Sequence, residues 1–350
     1  MNIVPSLTDK RLRLTNFTLA GIGFAILLAY ILISFQYLPP YDYQYFAQGA
    51  QAFCFDNAHF SFSEAYLYPA PFYTAFCLPD ALAPQLWLWI WMLAPFFMAM
   101  WLVKGRAAVL AYPPLFLLLL LGQSTWLVLP LFILATYYHR GGQVRWWHSV
   151  FLALAVFKPH IAFPAALYVL WCWRQRPRIL LVAALFVLAL VVPSFILRPT
   201  WVQEWLATGR TFRAVSMASI AYIPVNLFQL DGAASQTGVM VVWGFCLSTG
   251  FLLYGLFRWR RGRLDYEDWL LLILLVNPTL HDYDLIILLP LLAVSPKRLL
   301  LALTAGILTW VYALLTATTP SGALFNMSFL ITFTLVFVRL WPTALRRNAV

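Results

Sequence analysis

Residues 17–46 read FTLAGIGFAILLAYILISFQYL and then PPYDYQYF, so that a long apolar run gives way to two prolines, an aspartate and three tyrosines. The apolar run, residues 17–38, carries no charge and would be about 33 Å long as a helix, enough to cross a bilayer. We therefore predict a membrane span there, with Asp42 where the chain leaves the membrane. Asp42 has two interpretations: a solvated carboxylate in a belt of interfacial tyrosines, or a general base at the mouth of a membrane-embedded site.

The composition is that of a polytopic membrane protein. Hydrophobic residues make up 63% of the 350 residues and charged residues only 10%, which excludes an ordinary soluble domain. The net charge of +11 does not indicate a nucleic-acid partner, because Lys and Arg lie in short clusters between apolar segments, as the positive-inside rule expects. Cys54 and Cys77 share one predicted outer loop, where an oxidising compartment would allow a disulfide that the sequence does not require.

Two apolar blocks are interrupted by polar residues, and the interruptions decide the topology. Block 146–173 is broken by Lys158-Pro159-His160, and block 269–294 is broken by residues 277–284. Each block is either one straight helix or a hairpin of two short helices. With hairpins, all but four of the 23 Lys and Arg residues face the cytoplasm, which satisfies the positive-inside rule better than straight helices do. The four exceptions are Lys158 at a hairpin tip, Arg198, Arg210 and Arg213.

We therefore predict an all-α integral membrane bundle with roughly twelve passes, four of them short, and with both termini cytoplasmic. Residues 1–350 form a single transmembrane domain with outer loops at about 39–84 and 198–236. In the first loop, residues 41–62 are half-apolar and are expected to lie along the interface as an amphipathic helix. Short helices are tolerated only where their non-helical tips line a watered, protein-enclosed cavity, so the sequence predicts a cavity open to the outer half of the membrane.

Ionisable residues collect at this predicted cavity, where they are costly and therefore functional candidates. A carboxylate can act as a base for a hydroxyl, and Lys, Arg and His together can hold phosphate oxygens. Positive groups also stabilise a phosphate as it leaves. The pattern indicates transfer of a group from a phosphate-activated carrier on the outer face. The candidates are Asp42, Lys158, His160, Arg210, Arg213, His281 and Asp282, with Gln123 and Tyr45 in supporting roles.

Each candidate also has a structural interpretation. Lys158 at a hairpin tip would snorkel towards the interface and carry little core packing, so that Lys158→Ala would leave the protein folded. The histidines would be hydrogen-bonded core residues and the two outer arginines solvated loop residues. Asp282 and Asp284 would be N-caps of the descending half-helix, the interpretation we favour for Asp284. Three acids among cytoplasmic arginines are expected to be structural: Asp265, Glu267 and Asp268.

Several reaction classes lack their sequence signatures. The chain has no P-loop, no dinucleotide fingerprint and no serine-nucleophile motif, which argues against a soluble nucleotide-sugar donor. The acids near the cavity do not form the paired-carboxylate pattern of a hard-cation site. We therefore expect neither a metal nor another cofactor.

An ordered set of motifs resembles a known family. An Asp just after the first span is followed by Tyr-Pro-Ala-Pro-Phe at 68–72, Gly-Gln at 122–123, Lys-Pro at 158–159 and Asn-Pro-Thr-Leu-His at 277–281. Together, over nearly the whole chain, they resemble glycosyltransferase family 87. These membrane-embedded C-type (GT-C) glycosyltransferases use polyprenyl-phosphate mannose and include phosphatidylinositol-mannoside mannosyltransferases.

The resemblance implies a GT-C fold, an outward cavity, a polyprenyl-phosphate sugar donor and inverting transfer. By position in the motifs, Asp42 matches the presumed base, and Lys158 and His281 would face the donor phosphate. Arg210 or Arg213, which belong to no motif of the family, would help to hold it. The sequence thus predicts a mannosyltransferase of the plasma (inner) membrane that acts on a lipid or glycan acceptor on the periplasmic side. A flippase or transporter of polyprenyl-phosphate-linked lipids is the alternative, because broken helices with polar residues at mid-depth also occur in transporters.

Overall fold

The structure is a computed structural model that describes residues 40–62, 68–103, 111–208, 218–228, 236–316 and 328–340, together with Val109 and a few positions before residue 26. Within these ranges the chain is helical and contains no β-strand. The first α-helices are α1 Tyr41–Phe55, α2 Ala70–Leu82, α3 Pro84–Leu102, α4 Pro113–Leu121, α5 Leu129–His139, α6 Ser149–Ala153, α7 Pro159–Trp173 and α8 Pro177–Leu197.

The second half of the chain continues the same architecture. Its α-helices are α9 Trp201–Thr208, α10 Tyr222–Leu227, α11 Gln236–Arg261, α12 Tyr266–Val276, α13 Leu289–Ala293, α14 Pro296–Thr316 and α15 Phe329–Leu340. Short 3₁₀ helices join some of these elements, and their ranges are Ser124–Leu127, Trp146–His148, Leu154–Phe157 and Asp282–Leu288.

Three helices in the described ranges are long and apolar enough to cross a membrane: Pro84–Leu102, Pro177–Leu197 and Gly238–Arg261. Large apolar side chains on α8 and α11 are exposed, as expected of surfaces that face lipid; Leu181 is 63% exposed and Leu252 is 75% exposed. The helical membrane character predicted from the sequence is therefore supported. The predicted first span, 17–38, lies mostly outside the described residues, and the count of twelve passes stays a prediction.

The first interrupted block is a hairpin. The 3₁₀ helix Leu154–Phe157 ends at Lys158, and α7 begins at Pro159, whose missing N–H costs nothing in a first helical turn. The two ends of the block meet at Tyr138. The hydroxyl of Tyr138 lies 2.6 Å from Nδ1 of His148 and accepts a hydrogen bond from Nε1 of Trp173 at 3.1 Å. Since His148 precedes the break and Trp173 follows it, the chain doubles back at Lys158.

The second interrupted block is also a hairpin. Helix α12 ends at Val276, directly before Asn277-Pro278, and the chain resumes as the 3₁₀ helix Asp282–Leu288. Beyond this helix, Arg298 donates to Glu267 Oε2 at 2.9 Å, near the point where the block began. The chain therefore doubles back between Asn277 and Asp282.

The two hairpins contact each other at both ends. At their tips, Nδ2 of Asn277 donates to the carbonyl of His160 at 3.1 Å. At their bases, the ring centroid of Tyr168 lies 4.5 Å from that of Tyr266. The hairpin bases also hold three acids, and the interpretation of these acids as structural is confirmed by their arginine partners. Ion pairs join Arg339 to Asp265, Glu267 and Asp268, Arg261 to Asp265 and Asp268, and Arg298 to Glu267.

Helix α1 packs against the protein through one face, and its expected location along the membrane interface stays a prediction. Its buried residues Tyr43, Phe46, Ala50 and Phe53 recur at helical spacing and form one apolar face. This face packs against α2, where the ring centroids of Phe46 and Phe72 are 5.1 Å apart. A disulfide between Cys54 and Cys77 joins the two helices covalently. Asp42, in the first turn of α1, is therefore carried by a well-anchored helix.

Candidate active site

Asp42 is half-buried, and its carboxylate is held by Gln123. The Gln123 side chain donates from Nε2 to Asp42 Oδ2 at 2.5 Å. Gln123 follows Gly122, which ends α4 with a φ of 70°, in the left-handed region that favours glycine. A Cβ at this glycine would lie only 3.0 Å from Pro40 Cβ and 3.2 Å from Tyr43 Cβ. The Gly-Gln pair thus lets the end of α4 approach the start of α1.

Tyr68 fixes the orientation of the Gln123 amide. The Tyr68 hydroxyl donates to Gln123 Oε1 at 3.0 Å, so the NH₂ group of the amide must face Asp42. Asp42 Oδ1 has no hydrogen-bond partner among the residues that the structure describes. One carboxylate oxygen is therefore anchored, and the other is available to accept a proton.

Lys158 lies beside these residues and forms an ion pair with a second aspartate, Asp284. Its ammonium contacts Asp284 Oδ1 and Thr125 Oγ1, each at 2.7 Å, and Thr125 in turn donates to Asp284 Oδ1 at 2.5 Å. Lys158 is 3% exposed and Asp284 is fully buried. Two sequence-based interpretations are therefore wrong: Lys158 does not snorkel, and it is not a tip residue with little packing.

Asp284 is not the N-cap that the sequence suggested. The N-cap of the 3₁₀ helix Asp282–Leu288 is His281, and Asp284 is the third residue of that helix. Its Oδ2 accepts the backbone N–H of His281 at 2.9 Å, so Asp284 does help to cap the first turn. Its other oxygen neutralises Lys158, a role that the sequence analysis missed.

Aromatic rings surround the ammonium. Lys158 Nζ lies 4.9 Å from the ring centroid of Tyr283 and 5.8 Å from that of Tyr68, both within the range of cation–π attraction. The imidazole of His281 stacks on Tyr283 with centroids 5.2 Å apart. An ammonium has three protons, and Asp284 and Thr125 use two of them, so one remains for another acceptor.

Asp42, Gln123 and Lys158 line one cavity of about 440 Å³, within the usual size range of small-molecule sites. Most of the candidate residues from the sequence line it: Asp42, Tyr45, Gln123, Lys158, His160 and His281. The remaining wall includes Tyr41, Phe46, Tyr68, Pro69 and Tyr283. Asp282 is adjacent to His281 in the chain but is not part of this wall, and Arg210 and Arg213 lie outside the described residues.

The chemistry available to the cavity follows from this arrangement. The cavity contains the Asp42 carboxylate with one open oxygen, the Lys158 ammonium, whose charge Asp284 balances, and two imidazoles. Sequence reasoning identified the carboxylate, the ammonium and the imidazoles but missed Thr125, Asp284 and Tyr283. Of these, only Asp284 had a signal in the sequence, as an acid inside the polar interruption at residues 277–284.

Comparisons of this chain with protein-family models, with curated proteins and with solved structures find no match. The function is therefore argued from the residues of the cavity.

The Lys158–Asp284 pair should dominate the stability of the hairpin tips. Lys158→Met leaves the Asp284 carboxylate buried without its charge partner, which costs about 3–5 kcal/mol. Neutralising both residues in Lys158→Met with Asp284→Asn should recover most of this loss. Thermal unfolding in detergent checks both variants, with Lys297→Met as the control, because Lys297 is an exposed cation. A Lys158→Met protein as stable as the wild type would contradict the assignment of a buried ion pair.

The hydrogen bond from Gln123 should control the protonation of Asp42. Burial raises the pKa of the Asp42 carboxyl above its ordinary value, while the Gln123 hydrogen bond and the charge of Lys158 act in the opposite direction. Gln123→Met removes a donor to the charged form, so the carboxyl should be protonated at higher pH than in the wild type. The measurement is an infrared pH titration of the carboxyl band that Asp42→Asn removes. An unchanged midpoint in Gln123→Met would mean that this hydrogen bond is not formed.

Proposed function

We propose that this chain is a membrane glycosyltransferase that transfers a sugar from a polyprenyl-phosphate carrier to a hydroxyl of a lipid or glycan acceptor. The observation that carries the proposal is the shared cavity: a carboxylate with one open oxygen faces the same space as an ammonium and two imidazoles. A base for a hydroxyl and donors for a phosphate are the two requirements of this reaction. Mannose, as the sugar, and inverting transfer rest on the resemblance to glycosyltransferase family 87.

Asp42 is the proposed general base. Its Oδ1 accepts the proton of the acceptor hydroxyl while the hydroxyl oxygen attacks the anomeric carbon of the donor sugar. The bond between that carbon and the phosphate oxygen breaks, and its electron pair leaves with the polyprenyl phosphate. Attack opposite to the departing phosphate inverts the configuration at the anomeric carbon. Gln123 holds Asp42 Oδ2 throughout, so the reacting oxygen is the one that has no hydrogen-bond partner among the described residues.

The phosphate is the proposed ligand of Lys158 and the two imidazoles. The remaining Lys158 proton and the ring N–H groups of His160 and His281 can donate to phosphate oxygens. Because Asp284 balances the charge of Lys158, further cations would be needed to neutralise the phosphate. Arg210 and Arg213 are the proposed source. Their segment joins the described chain at Ala218, whose N–H donates to the carbonyl of Leu280 at 2.8 Å, next to His281.

The proposed reaction occurs on the extracytoplasmic side of the plasma membrane. The disulfide between Cys54 and Cys77 supports this side, because disulfides persist in oxidising compartments and this one anchors the helix that carries Asp42. The positive-inside count of the sequence supports the same orientation, with both termini in the cytoplasm. The donor and the acceptor would then meet at the outer face.

A transfer assay tests the proposal. Purified protein in detergent is incubated with labelled polyprenyl-phosphate mannose and extracted host lipids, and a labelled product that depends on the donor is expected. A transporter would bind the donor but give no labelled product, and that outcome would overturn the proposal in favour of the flippase alternative.

Asp42→Asn tests the base. Asn keeps the size and most of the hydrogen bonding of Asp but cannot accept a proton at neutral pH, so transfer should fall at least ~10²-fold. Donor binding should persist, because the phosphate contacts belong to other residues. The matched control is Asp56→Asn, which removes an exposed carboxylate at the other end of α1 and should leave transfer unchanged. Near-full transfer by Asp42→Asn would remove the catalytic role from this residue.

A further inference from the structure

A larger hollow of about 790 Å³ begins at the bases of the two hairpins, away from the cavity that contains Asp42. It runs between α7 and α12. Its walls are mainly apolar and aromatic, and they include Pro164, Leu167, Trp171, Trp269 and Ile273. Its polar residues belong to the end of α5 and to the turn between α11 and α12, and they include His139, Arg261, Arg263 and Asp265. We refer to this hollow as the basal groove.

The basal groove carries an excess positive charge. The three acids nearby are matched by three arginines, since Arg261, Arg298 and Arg339 form ion pairs with Asp265, Glu267 and Asp268. Arg263 is exposed and has no carboxylate within ion-pair distance among the described residues. Its guanidinium is therefore a charge in the groove that no described carboxylate balances.

The apolar wall of the basal groove is open to its surroundings. Leu167 and Trp171 are each 61% exposed, and Trp269 is 47% exposed. Tryptophan is enriched where a membrane meets water, and here the two tryptophans flank the polar end of the groove. Outside the groove, the guanidinium of Arg174 lies 4.1 Å from the ring centroid of Trp171, which adds a second cation to this end of α7. A ligand that fits has an anionic head and an apolar chain.

We propose that the basal groove binds one anionic phospholipid of the membrane, with its phosphate at Arg263 and an acyl chain along Leu167, Trp171 and Trp269. A basic pocket between membrane helices is a typical site for such a headgroup. The lipid's negative charge complements Arg263, and its chain covers apolar surface that no described protein residue covers. This site is independent of the proposed transfer reaction, because none of its residues lines the cavity of Asp42.

Lipid titration of the delipidated protein tests the site. Phosphatidylglycerol and phosphatidylcholine with identical acyl chains are added separately in detergent, and bound lipid is counted by native mass spectrometry. We expect one phosphatidylglycerol to bind at least about tenfold more tightly than phosphatidylcholine, the size of one hydrogen-bonded charge contact. Equal binding of the two lipids would overturn the proposal, because the headgroup charge would then be irrelevant.

Two variants and a matched control locate the lipid. Arg263→Gln should weaken phosphatidylglycerol binding by about tenfold and leave phosphatidylcholine binding unchanged. Leu167→Glu, in the apolar wall, should weaken both lipids. Lys297→Gln removes an exposed cation that does not line the groove, and it should alter neither affinity. Phosphatidylglycerol binding that survives in a folded Arg263→Gln variant, as judged by its unfolding midpoint without lipid, would place the lipid elsewhere and refute this site.

Discussion

The buried ion pair between Lys158 and Asp284 is the interaction on which the rest of the structure depends. Two charges removed from water cost several kcal/mol each unless they meet each other in good geometry. Here the ammonium and the carboxylate are 2.7 Å apart, and Thr125 and the His281 backbone N–H complete their contacts. Separating the hairpin tips would leave both charges buried and unpaired. The pair therefore holds the two hairpin tips together through residues that are 126 positions apart in the chain.

The same constraint explains why a polar cavity exists inside an apolar protein. The breaks at Lys158 and at Asn277 leave backbone N–H and C=O groups without their helical hydrogen-bond partners. Inside a membrane protein these groups need polar neighbours. Next to the pair, Tyr68 and Gln123 extend the polar contacts to Asp42 at the start of α1. Helix α1 in turn is anchored on α2 by aromatic packing and by the Cys54–Cys77 disulfide. A carboxylate with one open oxygen thus lies beside a charge-balanced ammonium, the arrangement on which the proposed transfer depends.

Much of this architecture could be predicted from the sequence, because the signals were local. Polar residues next to proline inside apolar blocks predicted both breaks, and the distribution of Lys and Arg predicted that each break is a hairpin. The pairing of Lys158 with Asp284 could not be predicted, since Asp282 and Asp284 lie in the same short turn and only the 3₁₀ geometry selects one. The packing of α1 was also missed. Its apolar residues at 43, 46, 50 and 53 form one face, but their spacing does not indicate which element covers that face, and only the structure shows that it is α2.

The central claim is that the hairpin tips line a cavity on the extracytoplasmic side while the bases lie on the cytoplasmic side. Cysteine labelling in intact cells tests it most directly. The free cysteines Cys172 and Cys246 are first replaced by alanine, and a single cysteine is introduced at His160, which lines the cavity, or at Arg260, near the end of α11. A membrane-impermeant thiol reagent added outside should label the His160→Cys protein and leave the Arg260→Cys protein unlabelled. Labelling of Arg260→Cys from outside, with no labelling of His160→Cys, would contradict the claim.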